Sequence, residues 1–477
     1  MSQSRSRSRI LNVRNRLLSG ESSCETILKE TLSRLKACNS LNAVLKIREE
    51  EAFSYARSID KKIAQKQDLN PMDGLFFGVK ENLVQHSVET CASSAILKGF
   101  HSLYDATCVQ GMVKGGAFPV ATLNMDEFAM GSSNENSVHG PVENPVYPGK
   151  VPGGSSGGSC SVVGSGALDL SLGSDTGGSI RQPGAYCDVV GFKPSYGMVS
   201  RYGLMAFASS LDQVGPITRT VEDAALAMRF LSGKDARDAT SLDWNESGFD
   251  SLGGCELQGK SLAVPDFVFL DGLEEAVKTR FELSCEKLKE AGIRIETVKV
   301  KNIEYSLQTY YLIACAEASS NLARYDTIRY GKSLCEAEDL IHHYTQNREK
   351  GLGKEVKRRI LLGTYILSEG YYDAYYLKAQ KVRNLIKQSL EEVLSSFDGI
   401  LLPTSPVLPF DVGSRLNDPM KMYLSDLFTV PANLAGIPAI SLPLGSGVGL
   451  QLMSSFGSDS ELLSLAWAVE SVLGEEE

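Results

Sequence analysis

The sequence predicts an α/β protein with a sizeable core. Strand and helix patterns alternate along the chain: residues 261 to 264 are a short apolar run typical of a strand, residues 273 to 291 have helical periodicity, and residues 294 to 300 are again strand-like. Of the 477 residues, 43% are hydrophobic and 22% are charged, which is the ordinary globular range. No apolar run approaches the roughly 18 residues that a transmembrane helix needs, so we expect no membrane partner.

The beginning of the chain is predicted to be mostly helical. A short helix ends at Leu18, Ser23 can cap a second helix, residues 42 to 47 are strand-like, and residues 48 to 67 follow as a polar helix. The stretch before Glu21 is rich in arginine and serine and contains no acid. Such a composition is typical of an organellar transit peptide, but also of a basic terminus that leads into a first helix.

These observations divide the chain into three parts. Residues 1–9 are a basic terminus that is disordered or part of a targeting segment. Residues 10–65 are a helical segment packed on the core, and residues 66–477 are the main domain. The compartment stays open between the cytoplasm and the mitochondrial matrix.

A lysine stands at the end of an apolar run at residues 74 to 83, GLFFGVKENL. Lys80 either extends its amine to the surface or is buried, in which case its pKa falls and the neutral amine can accept a proton. Another short strand, residues 120 to 123, leads into a loop at 124 to 133 that is rich in small and polar residues. We expect that loop to line a pocket.

Residues 151 to 182, VPGGSSGGSCSVVGSGALDLSLGSDTGGSIRQ, contain two blocks of glycine and serine joined by an apolar segment. A flexible linker would carry no apolar residues, so the run is predicted to be folded. Glycines cluster in this way where the backbone turns tightly or closely approaches a ligand. The alternative is a pair of tight turns with incidental serines.

The rest of the chain is predicted to be helical at 304 to 324 and 352 to 397, followed by strands at 399 to 403 and 449 to 453 and a last helix from 460 to 473. Residues 254 to 261, GCELQGKS, match the phosphate-binding pattern GxxxxGK[ST]. That pattern requires a buried strand before it and a helix after it, whereas a polar stretch precedes it here and the strand-like SLAV follows. Nucleotide binding at this segment is therefore disfavoured.

Charge and cysteine usage exclude further classes. A net charge of −10 argues against a surface that grips nucleic acid throughout. The ten cysteines include no CxxC pair and no His/Cys cluster at ligand spacing, so neither a disulfide framework nor a metal site is predicted. Reduced, intracellular thiols fit best.

Amide or ester cleavage commonly uses Ser, His and an acid, but four of the five histidines here lie in ordinary polar contexts and His139 lies in the turn-like SVHGP, which favours a lysine base. Three separated motifs then resemble the amidase signature family in order and spacing: GVKEN at 78 to 82, PGGSSGGS at 152 to 159 and GSDTGGSIRQP at 173 to 183. The resemblance extends from about residue 10 to 473. It implies the amidase-signature fold, a large mixed twisted β-sheet covered by helices on both faces, with 66–477 as the catalytic domain in one compact unit with 10–65.

The resemblance also implies roles for individual residues. Ser179 is the nucleophile, Ser155, after a cis Gly154–Ser155 peptide bond, is a proton bridge, and neutral Lys80 is the base. Asp175 and Arg181 support the site, and Glu81 stands where the family usually has aspartate. The implied oxyanion hole consists of the backbone N–H groups of Thr176, Gly177, Gly178 and Ser179.

Strings outside these motifs, such as EASSNLARYD and NLAGIPAISLP, resemble the glutaminase subunits of tRNA-dependent amidotransferases within the family. The resemblance implies glutamine as substrate, with Arg359 binding its carboxylate and Arg358 as the rival. Asp426 binds its ammonium group, and Tyr310 and Ser132 lie near its side chain. No cofactor is expected in this chain.

The same resemblance implies partners. Ammonia would pass to a kinase and transamidase subunit that binds ATP and Mg²⁺ and contacts the tRNA, and a small third subunit would complete a heterotrimer. The alternative is a stand-alone amidase that acts on another small or acyl amide. A nucleotide-dependent binding module that uses residues 254 to 261 is a third hypothesis.

Overall fold

The computed structural model describes residues 8–244, 246–249, 252, 255–269, 272–416 and 418–474; the prediction for residues 1 to 7 lies outside the described residues. The strands are β1 Val44–Ile47, β2 Phe76–Lys80, β3 Phe118–Leu123, β4 Leu170–Asp175, β5 Val190–Lys193, β6 Gln213–Thr218, β7 Ser261–Pro265, β8 Arg294–Val298, β9 Gly399–Pro403, β10 Ala439–Pro443 and β11 Gly449–Met453. The helices are α1 Arg9–Leu18, α2 Cys24–Ala37, α3 Glu49–Ala64, α4 Thr107–Lys114, α5 Gly157–Gly164, α6 Arg181–Tyr186, α7 Val221–Leu231, α8 Glu275–Glu290, α9 Ser306–Leu322, α10 Leu340–Gly351, α11 Lys354–Ile366, α12 Lys378–Leu394, α13 Pro419–Leu424, α14 Val430–Ala435 and α15 Asp459–Leu473.

The strands form one 11-stranded sheet in the order β1-β3-β2-β4-β6-β5-β10-β11-β9-β7-β8. The sheet is mixed: β3, β2 and β4 are parallel neighbours, as are β9, β7 and β8, and the remaining pairs are antiparallel. Helices flank the sheet. The predicted α/β class, with a large mixed sheet flanked by helices, is therefore confirmed.

The strands at the centre of the sheet are buried on both faces. In β2, Phe77 and Val79 pack into the larger apolar cluster, whereas Phe76 packs into the smaller one with helices α2 and α3. Consecutive side chains of a strand point to opposite faces, so this division shows a separate core on each side. Lys80 is the last residue of β2 and therefore lies at the carboxyl end of the strand.

The N-terminal segment does more than pack its helices on the main domain: it also contributes a strand to the main sheet. Helix α1 begins at Arg9, one residue before the predicted segment, and Ser8 is its buried cap. Asp223 of α7 accepts hydrogen bonds from the Ser8 hydroxyl and from the backbone N–H of Arg9 and Ile10. Farther along, β1 pairs with β3 and forms an edge of the main sheet.

The segment with the phosphate-loop pattern has a different local structure. Gly254 lies outside the described residues, but β7 begins at Ser261, directly after Lys260. The Lys260 ammonium lies 2.9 Å from Asp398 Oδ1, and the Ser261 N–H donates to the same carboxylate at 2.8 Å. A phosphate loop needs a helix after its lysine, so this segment is not built as one. Across the described chain, no helix is both long enough and apolar enough to cross a bilayer.

Candidate active site

Lys80 is fully buried at the end of β2, so the alternative in which its amine reaches the surface is wrong. Its Nζ donates hydrogen bonds to three serine hydroxyls, at 2.8 Å to Ser155, 2.8 Å to Ser156 and 2.9 Å to Ser174. Ser155 is the residue that the sequence places next to this amine. Ser156 and Ser174 were not predicted as its partners, although both lie inside the motifs.

Burial lowers the pKa of the Lys80 ammonium to about 7, even though the surrounding carboxylates of Asp126 and Asp175 act in the opposite direction. An ordinary lysine is almost entirely protonated at neutral pH. Here a large share of the amine is neutral, and its lone pair can accept a proton from the Ser155 hydroxyl at 2.8 Å. The site thus holds a base without a histidine.

The first glycine-serine block holds Ser155 at the entrance to α5. The Gly154–Ser155 peptide bond is cis. The carbonyl of Ser155 accepts the Asp126 N–H at 3.2 Å, and the Gly154 N–H donates to Gln182 Oε1 at 3.0 Å. These bonds connect the block to the loop after β3 and to α6.

The second block connects β4 to α6 and carries Ser179, whose residue surface is 8% exposed. The Ser156 N–H donates to the Ser179 carbonyl at 3.2 Å, so the two blocks are in direct contact. Within the described part of the chain, the Ser179 hydroxyl makes no hydrogen bond and remains available for attack. Catalytic hydrogen bonds often tighten only when substrate is bound.

The four proposed oxyanion donors differ in whether the N–H group already has a hydrogen-bond partner. The Gly178 N–H donates to Asp175 Oδ1 at 2.9 Å, so this member of the predicted set already has a partner. The N–H groups of Thr176, Gly177 and Ser179 make no hydrogen bond to the residues that the structure describes. Three donors of the predicted four are therefore available to an oxyanion.

Two glycines in this loop are required by their neighbours. A Cβ at Gly177 would lie 2.6 Å from Tyr310 Cζ, so the tyrosine ring packs directly on the backbone. Gly178 has a φ of +136°, and a Cβ there would lie 2.2 Å from Thr429 Oγ1. Side chains at either position would push the loop away from Tyr310 or Thr429.

Asp175 and Arg181 form a fully buried ion pair beneath the loop. The two Arg181 nitrogens Nε and Nη2 each lie 3.0 Å from an Asp175 oxygen. Burial alone would raise the pKa of Asp175, but the guanidinium and its hydrogen bonds lower it to about 2. Arg181 also donates to the Thr429 carbonyl at 2.9 Å and to Gln451 Oε1 at 2.7 Å. The pair therefore joins the nucleophile loop to α14 and β11.

Arg181→Met is expected to lower the free energy of unfolding by about 3–5 kcal/mol, because Asp175 would remain buried without its counter-charge. Denaturant unfolding followed by circular dichroism measures the change. As a control, Lys36→Met removes only an exposed ion pair with Glu49 and should leave the unfolding midpoint nearly unchanged. A wild-type midpoint for Arg181→Met would contradict the role of this pair.

Burial distinguishes the two candidate arginines of α11. Arg359 is buried, with its guanidinium carbon 5.4 to 5.7 Å from the ring centres of Phe207, Tyr311 and Tyr423, whereas the Arg358 side chain is 38% exposed. Arg359 Nε donates to Glu355 Oε1 at 2.8 Å. Its two terminal nitrogens make no hydrogen bond to the described residues and can receive a carboxylate.

Asp426 is buried and in contact with the same aromatic group. Its Oδ2 accepts hydrogen bonds from Ser132 at 2.7 Å and from the Tyr311 hydroxyl at 3.4 Å. Burial raises the pKa of Asp426 to about 7. A cation bound beside it would favour the charged carboxylate, so the group is suited to a ligand that carries an ammonium.

The predicted substrate residues are linked to the nucleophile loop by direct contacts. Tyr310 packs on Gly177 and lies edge-to-face with Tyr311 at 5.0 Å. Thr429 Oγ1 donates to the Gly177 carbonyl at 2.6 Å and lies 3.1 Å from the Asp426 carbonyl. A cation and an anion thus lie on one aromatic cluster that contacts the loop of Ser179.

A cavity of about 250 Å³ opens beside this cluster. It is lined by Gly131, Asn136, Lys354, Glu355, Arg358, Arg359, Arg415, Leu416, Met422 and Tyr423. A larger cavity of about 1050 Å³ lies elsewhere, around Tyr104, Arg324 and Tyr330, and none of the predicted site residues lines it. The candidate site is therefore identified by the residues that line it and not by the volume of its cavity.

Sequence reasoning missed several members of the site. Tyr311 and Tyr423 contact Arg359, and Glu355 binds it one helical turn away. The four-residue separation of Glu355 and Arg359 on a predicted helix was a usable signal, since such pairs face each other. Tyr423 carried no comparable signal.

Comparisons with known proteins identify relatives of the chain and confirm the predicted amidase-signature fold. The Amidase family model matches residues 26–463. The A subunit of glutamyl-tRNA(Gln) amidotransferase from Exiguobacterium sp. (strain ATCC BAA-1283 / AT1b) is 47% identical over 462 residues, covering 96% of each chain. The protein of the same name from Geobacillus thermodenitrificans (strain NG80-2) is 46% identical, covering 94% of each.

Two solved structures extend the likeness to three dimensions. The crystal structure of the glutamyl-tRNA(Gln) amidotransferase A subunit from Thermotoga maritima has a TM-score of 0.77 and 40% identity, covering 94% of this chain and 91% of that one. A crystal structure described as an amidase has a TM-score of 0.81 and 28% identity, covering 97% and 99%.

Proposed function

The chain belongs to the amidase family and is an enzyme component of the amidase and amidotransferase type, and we propose that it is the glutaminase subunit of a tRNA-dependent amidotransferase. It hydrolyses glutamine and delivers the ammonia for conversion of Glu-tRNA(Gln) to Gln-tRNA(Gln). The observation that carries the proposal is the pairing of buried Arg359 and buried Asp426 on the aromatic cluster that contacts the Ser179 loop. A simple amide offers no charges to these two groups.

In the first half-reaction, neutral Lys80 takes the proton of Ser155 while Ser155 takes the proton of Ser179. The Ser179 oxygen bonds to the amide carbon, and the electrons of the carbonyl bond move to its oxygen. The N–H groups of Thr176, Gly177 and Ser179 stabilise that negative charge. When the C–N bond breaks, the leaving nitrogen receives the proton held by Lys80 through Ser155, and ammonia departs.

The second half-reaction repeats these steps with water. Lys80 and Ser155 remove a proton from the water as it attacks the Ser179 ester, and the collapse of the intermediate returns a proton to the Ser179 oxygen. Glutamate is released and the enzyme is regenerated. The net reaction converts glutamine and water to glutamate and ammonia.

Glutamine is selected by two protein groups of opposite charge, one for the carboxylate and one for the ammonium of the substrate. The free terminal nitrogens of Arg359 bind the α-carboxylate, and Asp426 binds the α-ammonium with Ser132 and Tyr310 beside the side chain. The rival Arg358 is less suited, because its side chain is 38% exposed to solvent, whereas Arg359 is buried.

The partners follow from the proposed reaction. Ammonia must reach a carbonyl that has been activated, so a partner subunit binds ATP, Mg²⁺ and the tRNA, and a small third subunit completes the heterotrimer. This chain itself needs no cofactor for the steps above. The compartment, cytoplasm or mitochondrial matrix, stays a prediction, since residues 1 to 7 of the basic terminus lie outside the described residues.

Ammonia release from glutamine tests the proposal, with the chain alone and co-purified with its partner subunits and charged tRNA. We expect the partners to stimulate release, and we expect Arg359→Ala to lower kcat/KM for glutamine about 30- to 150-fold, equivalent to about 2–3 kcal/mol for a lost hydrogen bond to a charged group. Asp426→Ala should act similarly. Arg358→Ala is the matched control and should have a small effect.

Acetamide and an aryl amide in the same assay separate the alternative, a stand-alone amidase. If these amides are cleaved as well as glutamine, and the changes at Arg359 and Asp426 are harmless, the glutaminase proposal is wrong. An ATP titration of the isolated chain tests the nucleotide-binding hypothesis, for which we expect no saturable binding.

A further inference from the structure

A glutamate, a cysteine and a histidine converge behind the catalytic strand. Glu81 follows Lys80, Cys91 lies ten positions later and His139 comes from the loop beyond β3. Cys91 Sγ lies 3.1 Å from Glu81 Oε1 and 3.6 Å from His139 Nε2, and His139 Nε2 lies 3.5 Å from Glu81 Oε2. Their spacing along the chain fits no ligand pattern, which is why the sequence predicted no metal site.

Two of the three separations, 3.6 Å and 3.5 Å, match those of a tetrahedral metal centre, and the third, 3.1 Å, is the hydrogen bond of the protonated Cys91 thiol to Glu81, which a metal ion would replace. With Zn–S bonds of about 2.3 Å and Zn–N or Zn–O bonds of about 2.0–2.1 Å, tetrahedral angles place neighbouring ligand atoms about 3.3–3.6 Å apart. Thiolate, imidazole and carboxylate are the three ligand types that Zn²⁺ takes in proteins. We propose that Glu81, Cys91 and His139 form a Zn²⁺ site whose fourth position is taken by water.

The three groups are held in place by a second set of hydrogen bonds. Ser93 directs the Glu81 carboxylate through its N–H at 2.7 Å and its hydroxyl at 2.8 Å. Asn124 Oδ1 accepts hydrogen bonds from Ser93 at 3.3 Å and from Ser137 at 2.7 Å.

The histidine loop is tied to the same frame. The Ser137 hydroxyl accepts the His139 N–H at 3.1 Å, and Asn42 donates to the His139 carbonyl at 2.9 Å. Both bonds hold the backbone of His139, so the loop that carries the imidazole is fixed next to Glu81 and Cys91 before the metal arrives.

The metal can enter from the histidine side. The His139 side chain is 28% exposed, whereas that of Glu81 is 4% exposed and Cys91 is buried. Binding replaces the thiol proton that Cys91 now shares with Glu81, and this proton leaves to solvent. The half-buried imidazole is thus the side from which solvent reaches the two buried ligands.

Cobalt titration of the full chain after chelator treatment tests the site, because Co²⁺ replaces Zn²⁺ and absorbs when bound to thiolate. We expect a saturable near-ultraviolet thiolate-to-cobalt band with one equivalent of Co²⁺, removed by added Zn²⁺. Cys91→Ser should abolish the band, and His139→Phe and Glu81→Gln should weaken binding at least about 100-fold. Added Zn²⁺ should raise the Tm of the wild type only.

Matched controls remove the same residue types elsewhere. Cys108→Ser changes another buried free thiol, and His101→Phe changes an exposed histidine, so both should bind Co²⁺ as the wild type does. If Cys91→Ser does not fold, His139→Phe at the half-buried position still decides the outcome. Absence of a thiolate band, or an unchanged affinity in His139→Phe, would overturn the proposal.

Discussion

Ser179→Ala is expected to reduce ammonia release from glutamine by about 10⁴-fold or more, because in the proposed mechanism the acyl ester forms on Ser179. The Ser179 hydroxyl makes no hydrogen bond within the described chain, so its removal should leave the fold intact. An acid quench during turnover, followed by mass spectrometry, should detect a glutamyl ester on Ser179 in the wild type and none in the variant.

Ser161→Ala provides the control. Ser161 lies in the same glycine-serine run, but its hydroxyl donates to the Glu143 carbonyl at 3.1 Å and is not part of the Lys80 cluster. This variant should retain most of the activity. An ester on any other residue, or substantial turnover by Ser179→Ala, would remove Ser179 from the nucleophile role.

Lys80→Met is the second substitution with a large expected effect. We expect kcat/KM to fall by about 10²–10⁴-fold, which is the usual contribution of a general base to the rate. The physical reason appears in the pH profile. Since burial lowers the pKa of Lys80 to about 7, the amine is protonated and inactive below that pH and neutral and active above it. Wild-type kcat/KM should therefore rise between pH 6 and 8.

The rise with pH should be lost in Lys80→Met, and Lys80→Arg should be inactive because arginine keeps its proton. Lys193 is a matched control: it is also fully buried, burial lowers its pKa, and it donates to the Pro194 carbonyl at 2.8 Å, away from the serines. Lys193→Met, corrected for the folded fraction, should keep the rise. A pH-independent wild type, or near-wild-type acylation by Lys80→Met, would contradict the lysine base.

Local patterns predicted most of the elements that position the site. The apolar run that ends at Lys80 is a strand, and the two glycine-serine blocks are the loops that carry Ser155 and Ser179 and that meet where the Ser156 N–H donates to the Ser179 carbonyl. The burial of Lys80 could not be deduced from the run itself. It depends on Ser156 and Ser174, which satisfy the amine only after the strands have paired.

Other features depend on contacts between distant parts of the chain. Arg358 and Arg359 are neighbours on one helix, and only the aromatic rings of Tyr311 and Tyr423 show which of them is buried. The first helix starts earlier than predicted because Asp223, more than two hundred residues away, binds its first N–H groups. No local pattern carries such information.

Thr429 and Tyr310 connect the aromatic cluster that would bind the substrate to the Ser179 loop, so that neither can shift without the other. Each side chain touches Gly177 on one side and the cluster around Asp426 or Tyr311 on the other. The positions of the site are therefore not equally suitable for substitutions that would direct the enzyme to another amide. Library design should begin at Arg359 and leave Thr429 and Tyr310 untouched, because altered selectivity at those two positions would be accompanied by a slower chemical step.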